Sequence, residues 1–108
     1  MNSNASNSDR VLALIGMSMK AGAVKSGEFA CEQAIKDKSA KLCIVACDAS
    51  DNTKKSYKDS CSFYNISYVE YGTKETLGHA IGKELRASVV ICNEGLAKSI
   101  CEKMSFQG

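Results

Sequence analysis

An α/β domain, built as a three-layer α/β/α sandwich around a four-stranded mixed sheet, is predicted by three features of this 108-residue chain. Helix-periodic and strand-like segments alternate along it in the order αβαβαβαβα. Of the strand-like segments, "LCIVAC" (42–47) is apolar on both faces, as a central strand covered on each side is, and "ASVVIC" (87–92) reads as another buried strand. The length supplies one core and not two, so a single domain over 9–108 is expected.

The opening "MNSNASNS" (1–8) is polar, uncharged and aperiodic, so a loose tail is expected there. From Asp9 onward, Val11, Leu12, Leu14, Ile15 and Met19 recur at helical spacing, and Ala21-Gly22 ends that helix. "AVKS" (23–26) reads as a short strand, and Gly27 opens a second helix running to about Asp37. Ser50 or Asp51 caps a third helix with Tyr57, Cys61 and Tyr64 on one stripe. "ISYVEY" (66–71) is strand-like, Thr73 caps a short helix containing Leu77, Ala80 and Ile81, and Asn93 caps the last helix. That last helix turns Leu96, Ala97, Ile100, Cys101 and Met104 toward the sheet. Without any proline, glycines and capping residues provide all the punctuation.

Net charge is only +2, so total charge alone does not imply a nucleic-acid partner. Residues 20–58 hold eight basic and five acidic side chains, a mild local lean toward anions. The six cysteines form no C-x-x-C pair and His79 is the sole histidine, so the usual zinc spacing is absent and no metal or cofactor is expected. Cys43 and Cys47 sit in an apolar run, where a reduced thiol acts as a small hydrophobe. No basic start precedes a long apolar stretch, and no apolar run nears the ~20 residues of a membrane span. A cytoplasmic chain with reduced thiols is expected.

Catalytic chemistry finds little support. No nucleophile elbow, phosphate-binding loop or dinucleotide fingerprint occurs. His79 falls on the polar side of its helix, as a solvated histidine does, and Asp48 is either a strand-end catalytic aspartate or a cap on the following turn. The turn at Gly27 is more informative. A helix starting there leaves backbone N–H groups unpaired, and glycine admits a close partner. Glu28 disfavours bare phosphate capture; it either accepts from a base edge or merely complements the helix dipole. At ~100° per residue, Ala30, Cys31, Ala34 and Ile35 must face the sheet. Phe29 points the other way, beside Glu32, Gln33 and Lys36, either as a contact residue or packed on a neighbouring loop.

The segments "SGEFACEQAI", "AKLCIVACDASDNTKKSY", "YNISYVEYGTKETLGHAIGKE" and "NEGLAK" carry a resemblance over about residues 10–101. The chain resembles the ribosomal-protein family of the L-seven-Ae type, whose members bind kink-turn RNA, and is most like its bacterial YlxQ-like members. The strand trailing into Asp48-Ala49-Ser50 and the later Leu77-Gly78-His79-Ala80-Ile81-Gly82 form a fairly specific pair. The resemblance implies a non-catalytic α/β/α sandwich with RNA on one end. The second helix would read the sheared G·A pairs of the kink, and the loop after the third strand would meet an extruded base. It places RNA contacts at Gly27, Glu28, Phe29 and Gln33, then at Tyr71, Gly72, Thr73 and Lys74, with Lys25, Lys36 and Lys74 toward phosphates. The family's helix motif is Gly-x-Asn-Glu-x-x-Lys; here Phe29, Ala30 and Gln33 occupy its three polar positions. The expected partner is structured RNA, ribosomal or kink-turn-like, bound by a monomer associated with the ribosome or translation factors. The alternative is a protein-interaction module on the same fold, with Phe29 and Tyr71 as its apolar patch.

Overall fold

The computed structural model describes residues 3–107, and side chains over residues 10–105. Its elements are α1 (Ser3–Lys20), β1 (Val24–Ser26), α2 (Glu28–Lys36), β2 (Leu42–Val45), α3 (Asp51–Tyr64), β3 (Ser67–Glu70), α4 (Lys74–Ala80), β4 (Ser88–Ile91) and α5 (Glu94–Gln107). The αβαβαβαβα order is the predicted one. Of the segment expected as a loose tail, residues 1 and 2 lie outside the described residues; the helix backbone of α1 begins at Ser3, six residues before Asp9, with side chains undescribed there.

The sheet runs β1-β4-β2-β3. β2 and β3 are parallel, whereas β4 is antiparallel to both β1 and β2, so the sheet is mixed. Every residue of β2 and β4 is buried, as two-faced apolar strands in the middle of a sheet require. α2 and α3 pack together over one face, and α1 joins α4 and α5 on the other. Val11, Ile15, Ile35, Ile44, Leu77 and Ile100 are fully inaccessible and tie the three layers into one core.

Capping follows local chemistry. The Ser50 hydroxyl accepts from the Thr53 N–H at 3.1 Å, so Ser50 rather than Asp51 caps α3. Thr73 and Thr76 form a reciprocal capping box at α4, and Asn93 Oδ1 accepts from Leu96 N–H at 2.8 Å at α5. One expectation changes: β2 stops at Val45, the chain turns over residues 47–49, and Cys47 is carried out to solvent instead of joining Cys43 in the core.

Because β1, β2 and β3 run the same way, their carboxyl ends deliver the N-termini of α2, α3 and α4 to one end of the sandwich. The loop 82–87 before β4 lies at that end as well. Backbone bonds stitch these turns together in sheet order: Ala46 N–H to Ala87 O, Cys47 N–H to Gly72 O, and Arg86 N–H to Lys74 O.

Candidate nucleic-acid interface

α2 starts differently from its neighbours. Gly27 stands at its N-cap with φ 89° and ψ 149°, and no side chain caps the helix. That backbone region is essentially reserved for glycine, and a side chain there would be strained by about 1–3 kcal/mol. Space is not the constraint, since a Cβ at Gly27 would meet nothing within 4 Å. Gly27 therefore sets the chain direction and leaves the first-turn N–H groups of α2 approachable.

The helical wheel holds except at Ala30, which is half-buried. Cys31, Ala34 and Ile35 are buried against the sheet, and Phe29 is 84% exposed. Gln33, one turn further on, is exposed on the same side, as the i,i+4 relation demands. The ring of Phe29 is thus presented to solvent rather than folded back on a loop. Glu28 is exposed beside it, in the helix's first turn.

Next to this helix end lies a recess of about 240 Å³ whose walls include Gly27, Glu28, Leu85 and Arg86, with Thr53 and Ala87 beside them. Its floor is formed by Tyr57 and Ser88, both buried, with Ser88 Oγ donating to Tyr57 Oη at 2.8 Å. Burial pushes the Tyr57 hydroxyl above its ordinary range, so the floor is polar and uncharged at neutral pH. Burial likewise lifts the nearby Cys31 thiol to about 11, and hydrogen bonding to Cys61 together with burial raises Cys43. Neither thiol is a nucleophile at neutral pH.

Leu85 and Arg86 were not singled out from the sequence. Leu85 is 60% exposed on the recess wall. Arg86 Nε–H donates to Ser26 Oγ at 3.3 Å, while its backbone N–H reaches Lys74 O at 3.0 Å. It therefore bridges the α2 turn and the α4 turn. The signal was Gly78, a glycine inside a helix. A Cβ there would overlap the carbonyl oxygen of Glu84, and Lys83 N–H donates to Gly78 O at 2.8 Å. Gly78 lets the loop fold back over α4 and carry Leu85 and Arg86 to the recess.

The ten expected contact residues separate into groups. Gly27, Glu28, Phe29 and Gln33 share the start of α2. Tyr71, Gly72, Thr73 and Lys74 lie on the same end of the sandwich, but three strand spacings away, about 14 Å. Tyr71, Gly72 and Thr73 border a separate recess with Leu12 and Cys47. The Thr73 hydroxyl is committed to Thr76 N–H at 3.1 Å, and Lys74 N–H donates to Asp48 Oδ1 at 2.9 Å. Asp48 therefore caps the first turn of α4. His79 is exposed, as its place on the wheel implied.

Lys25 is exposed on β1, two residues before Gly27. Lys36 lies in the last turn of α2, about 12 Å along the axis from Glu28. Lys25 lies near enough to Asp37 to help lower that carboxyl, after the two hydrogen bonds Asp37 accepts from Ser39. Among the described residues no group of metal-ligating side chains comes together.

The sequence model of the ribosomal protein L7Ae/L30e/S12e/Gadd45 family matches residues 9–102. The chain belongs to this family. Two relatives are the RNA-binding protein YlxQ of Bacillus subtilis (strain 168), 36% identical over 87 residues, and that of Enterococcus faecium, 35% identical over 99. The first alignment covers 81% of this chain and 87% of its relative; the second covers 92% and 95%. Among solved structures, a protein of unknown function from Bacillus halodurans superposes with a TM-score of 0.84 at 28% identity, over 88% of this chain and 96% of that one. A Giardia lamblia 15.5kD RNA binding protein gives 0.75 at 23% identity, over 98% and 89%, which speaks for the fold. The family membership and the α/β sandwich read from sequence both hold.

Proposed function

We propose that this chain is a non-catalytic RNA-binding protein that holds structured, kink-turn-like RNA at the α2 end of the sandwich, acting as a cytoplasmic monomer in the ribosomal or translation machinery. The observation that carries the reading is the grouping of an uncapped, glycine-opened helix start, an 84% exposed phenylalanine and the Leu85-Arg86 loop around one polar-floored recess. Relatives that share a third of its residues over most of the chain are RNA-binding proteins, which supports the same partner.

In this reading Gly27 admits the RNA close to the free N–H groups, and Glu28 and Gln33 meet base edges that present donors and acceptors. Phe29 and Leu85 supply apolar surface to an unstacked base. Arg86, already between the two turns, and Lys74 neutralise phosphates; among the described residues neither is in an ion pair. Phe29 stands where the resembling motif has an amide, so stacking replaces part of the hydrogen-bond readout.

Titration of the protein against a kink-turn RNA and a straight duplex of equal length, at two salt concentrations, tests the proposal. Tighter binding of the kinked RNA that persists at the higher salt is expected. Equal, weak binding to both RNAs, lost at moderate salt, would refute kink recognition.

A further inference from the structure

A groove on the opposite face of the molecule from α2 contains none of the residues expected to contact RNA, although the recess beside it is bordered by Tyr71, Gly72 and Thr73. It runs between α1 and α4, encloses about 560 Å³, and is lined by Leu12, Ala13, Glu75, Thr76, His79 and Ala80. Its origin is local. Gly16 lets α1 approach the Ala80 carbonyl, where even a Cβ would lie at 3.1 Å, and the helices leave a cleft beside that contact. Met17, one turn after Ala13 on α1, is 57% exposed and extends the apolar strip.

The sign of the charge identifies what can lie there. The chain carries 14 lysines and arginines, yet among the described residues none lines this groove, and the acidic residue that does is Glu75. Among the described residues no cation pairs with Glu75; Arg10, one turn before Ala13, is exposed and likewise unpaired. The adjoining recess, which shares Leu12 and Thr76, adds Glu70 and again no lysine or arginine. Glu70 is already engaged by Tyr68, Lys54 and Lys58, so Glu75 is the open anchor. Phosphates are repelled from such a surface, whereas apolar side chains flanked by a cation are matched by it.

We infer that the α1/α4 groove docks a basic amphipathic helical segment of a protein partner, apolar side chains seated along Leu12, Ala13 and Ala80 and a lysine or arginine on Glu75. The RNA end stays free, so one molecule joins a structured RNA to a cationic protein segment. The inference stands apart from the RNA reading, and either can fail alone.

The test uses a fluorescent leucine/lysine amphipathic peptide of about fourteen residues, long enough to form a helix, and a leucine/glutamate counterpart, titrated with the full chain by anisotropy. Saturable binding of the basic peptide is expected, at least about tenfold tighter than the acidic one. Ala13→Arg, at an exposed position, should weaken it about tenfold or more, Glu75→Gln by a few fold, and Phe29→Ala not at all. Circular dichroism establishes that each variant is folded; should Ala13→Arg misfold, Glu75→Gln carries the test. Absence of saturable binding, or unchanged affinity in a folded Ala13→Arg and in Glu75→Gln, overturns the inference. Self-association of the chain that Ala13→Arg abolishes would make the occupant a second copy and likewise overturn it.

Discussion

Phe29 separates stability from binding at a single position. Its ring is exposed and absent from the core, so Phe29→Ala should shift the unfolding free energy by no more than about 0.5 kcal/mol. RNA affinity should nonetheless fall by about 1–3 kcal/mol, the worth of one aromatic–base stack. Parallel urea unfolding and RNA titration give both numbers. Arg86 and Lys36 form a second pair. Arg86→Ala should weaken RNA binding and flatten its salt dependence by about one phosphate contact, whereas Lys36→Ala, at the far end of α2, should change neither. Glu70 offers a pH test. The Tyr68 hydroxyl, and then Lys54 and Lys58, hold its carboxyl below the usual range despite partial desolvation. Its folded-state value thus lies below the unfolded one. The stability it contributes is present above the unfolded value of about 4.3 and disappears as pH falls through the folded one. Urea midpoints of the wild type and Glu70→Gln should differ at pH 7 and draw together as pH falls below the folded-state value of Glu70.

At the scale of elements, α2 and the loop 82–87 depend on two glycines for different reasons. Gly27 meets a backbone demand with open space around it, while Gly78 meets a steric demand from the Glu84 carbonyl. Gly78→Ala should therefore lower the thermal midpoint and, in whatever stays folded, cost RNA affinity through displacement of Leu85 and Arg86. Thermal unfolding with RNA titration checks both parts; full affinity in a folded Gly78→Ala would detach the loop from the site. These elements were unequally legible in the sequence. The α2 wheel could be read because burial follows 3.6-residue periodicity, which put Phe29 outward without any tertiary information. The role of 82–87 could not, because an irregular loop has no periodicity and its place is set by contacts with Gly78, Ser26 and Lys74. Lys25 was read as one of the lysines that would meet phosphates, and it stands exposed on β1, two residues before Gly27.

Across the whole molecule, function is arranged by topology. Three parallel strands send three helix starts to one end, and the antiparallel β4 returns there with the loop that joins them. Alternation of helix and strand signals, with two strands that read as buried, was enough to read the layered architecture. The strand order that places β4 between β1 and β2, and so sets Arg86 beside Ser26, arises from pairings far apart in sequence. Acidic and apolar surface falls on the α1/α4 side and exposed phenylalanines on the α2/α3 side, which is the basis for proposing a different partner for each face. The most direct measurement of the central claim is a map of backbone amide shifts in the isotope-labelled protein as kink-turn RNA is added. The largest changes are expected at 26–30 and 83–88, with smaller ones at 71–74 and none along α5. Changes concentrated in the α1/α4 groove or on α5, with 26–30 undisturbed, would contradict the account.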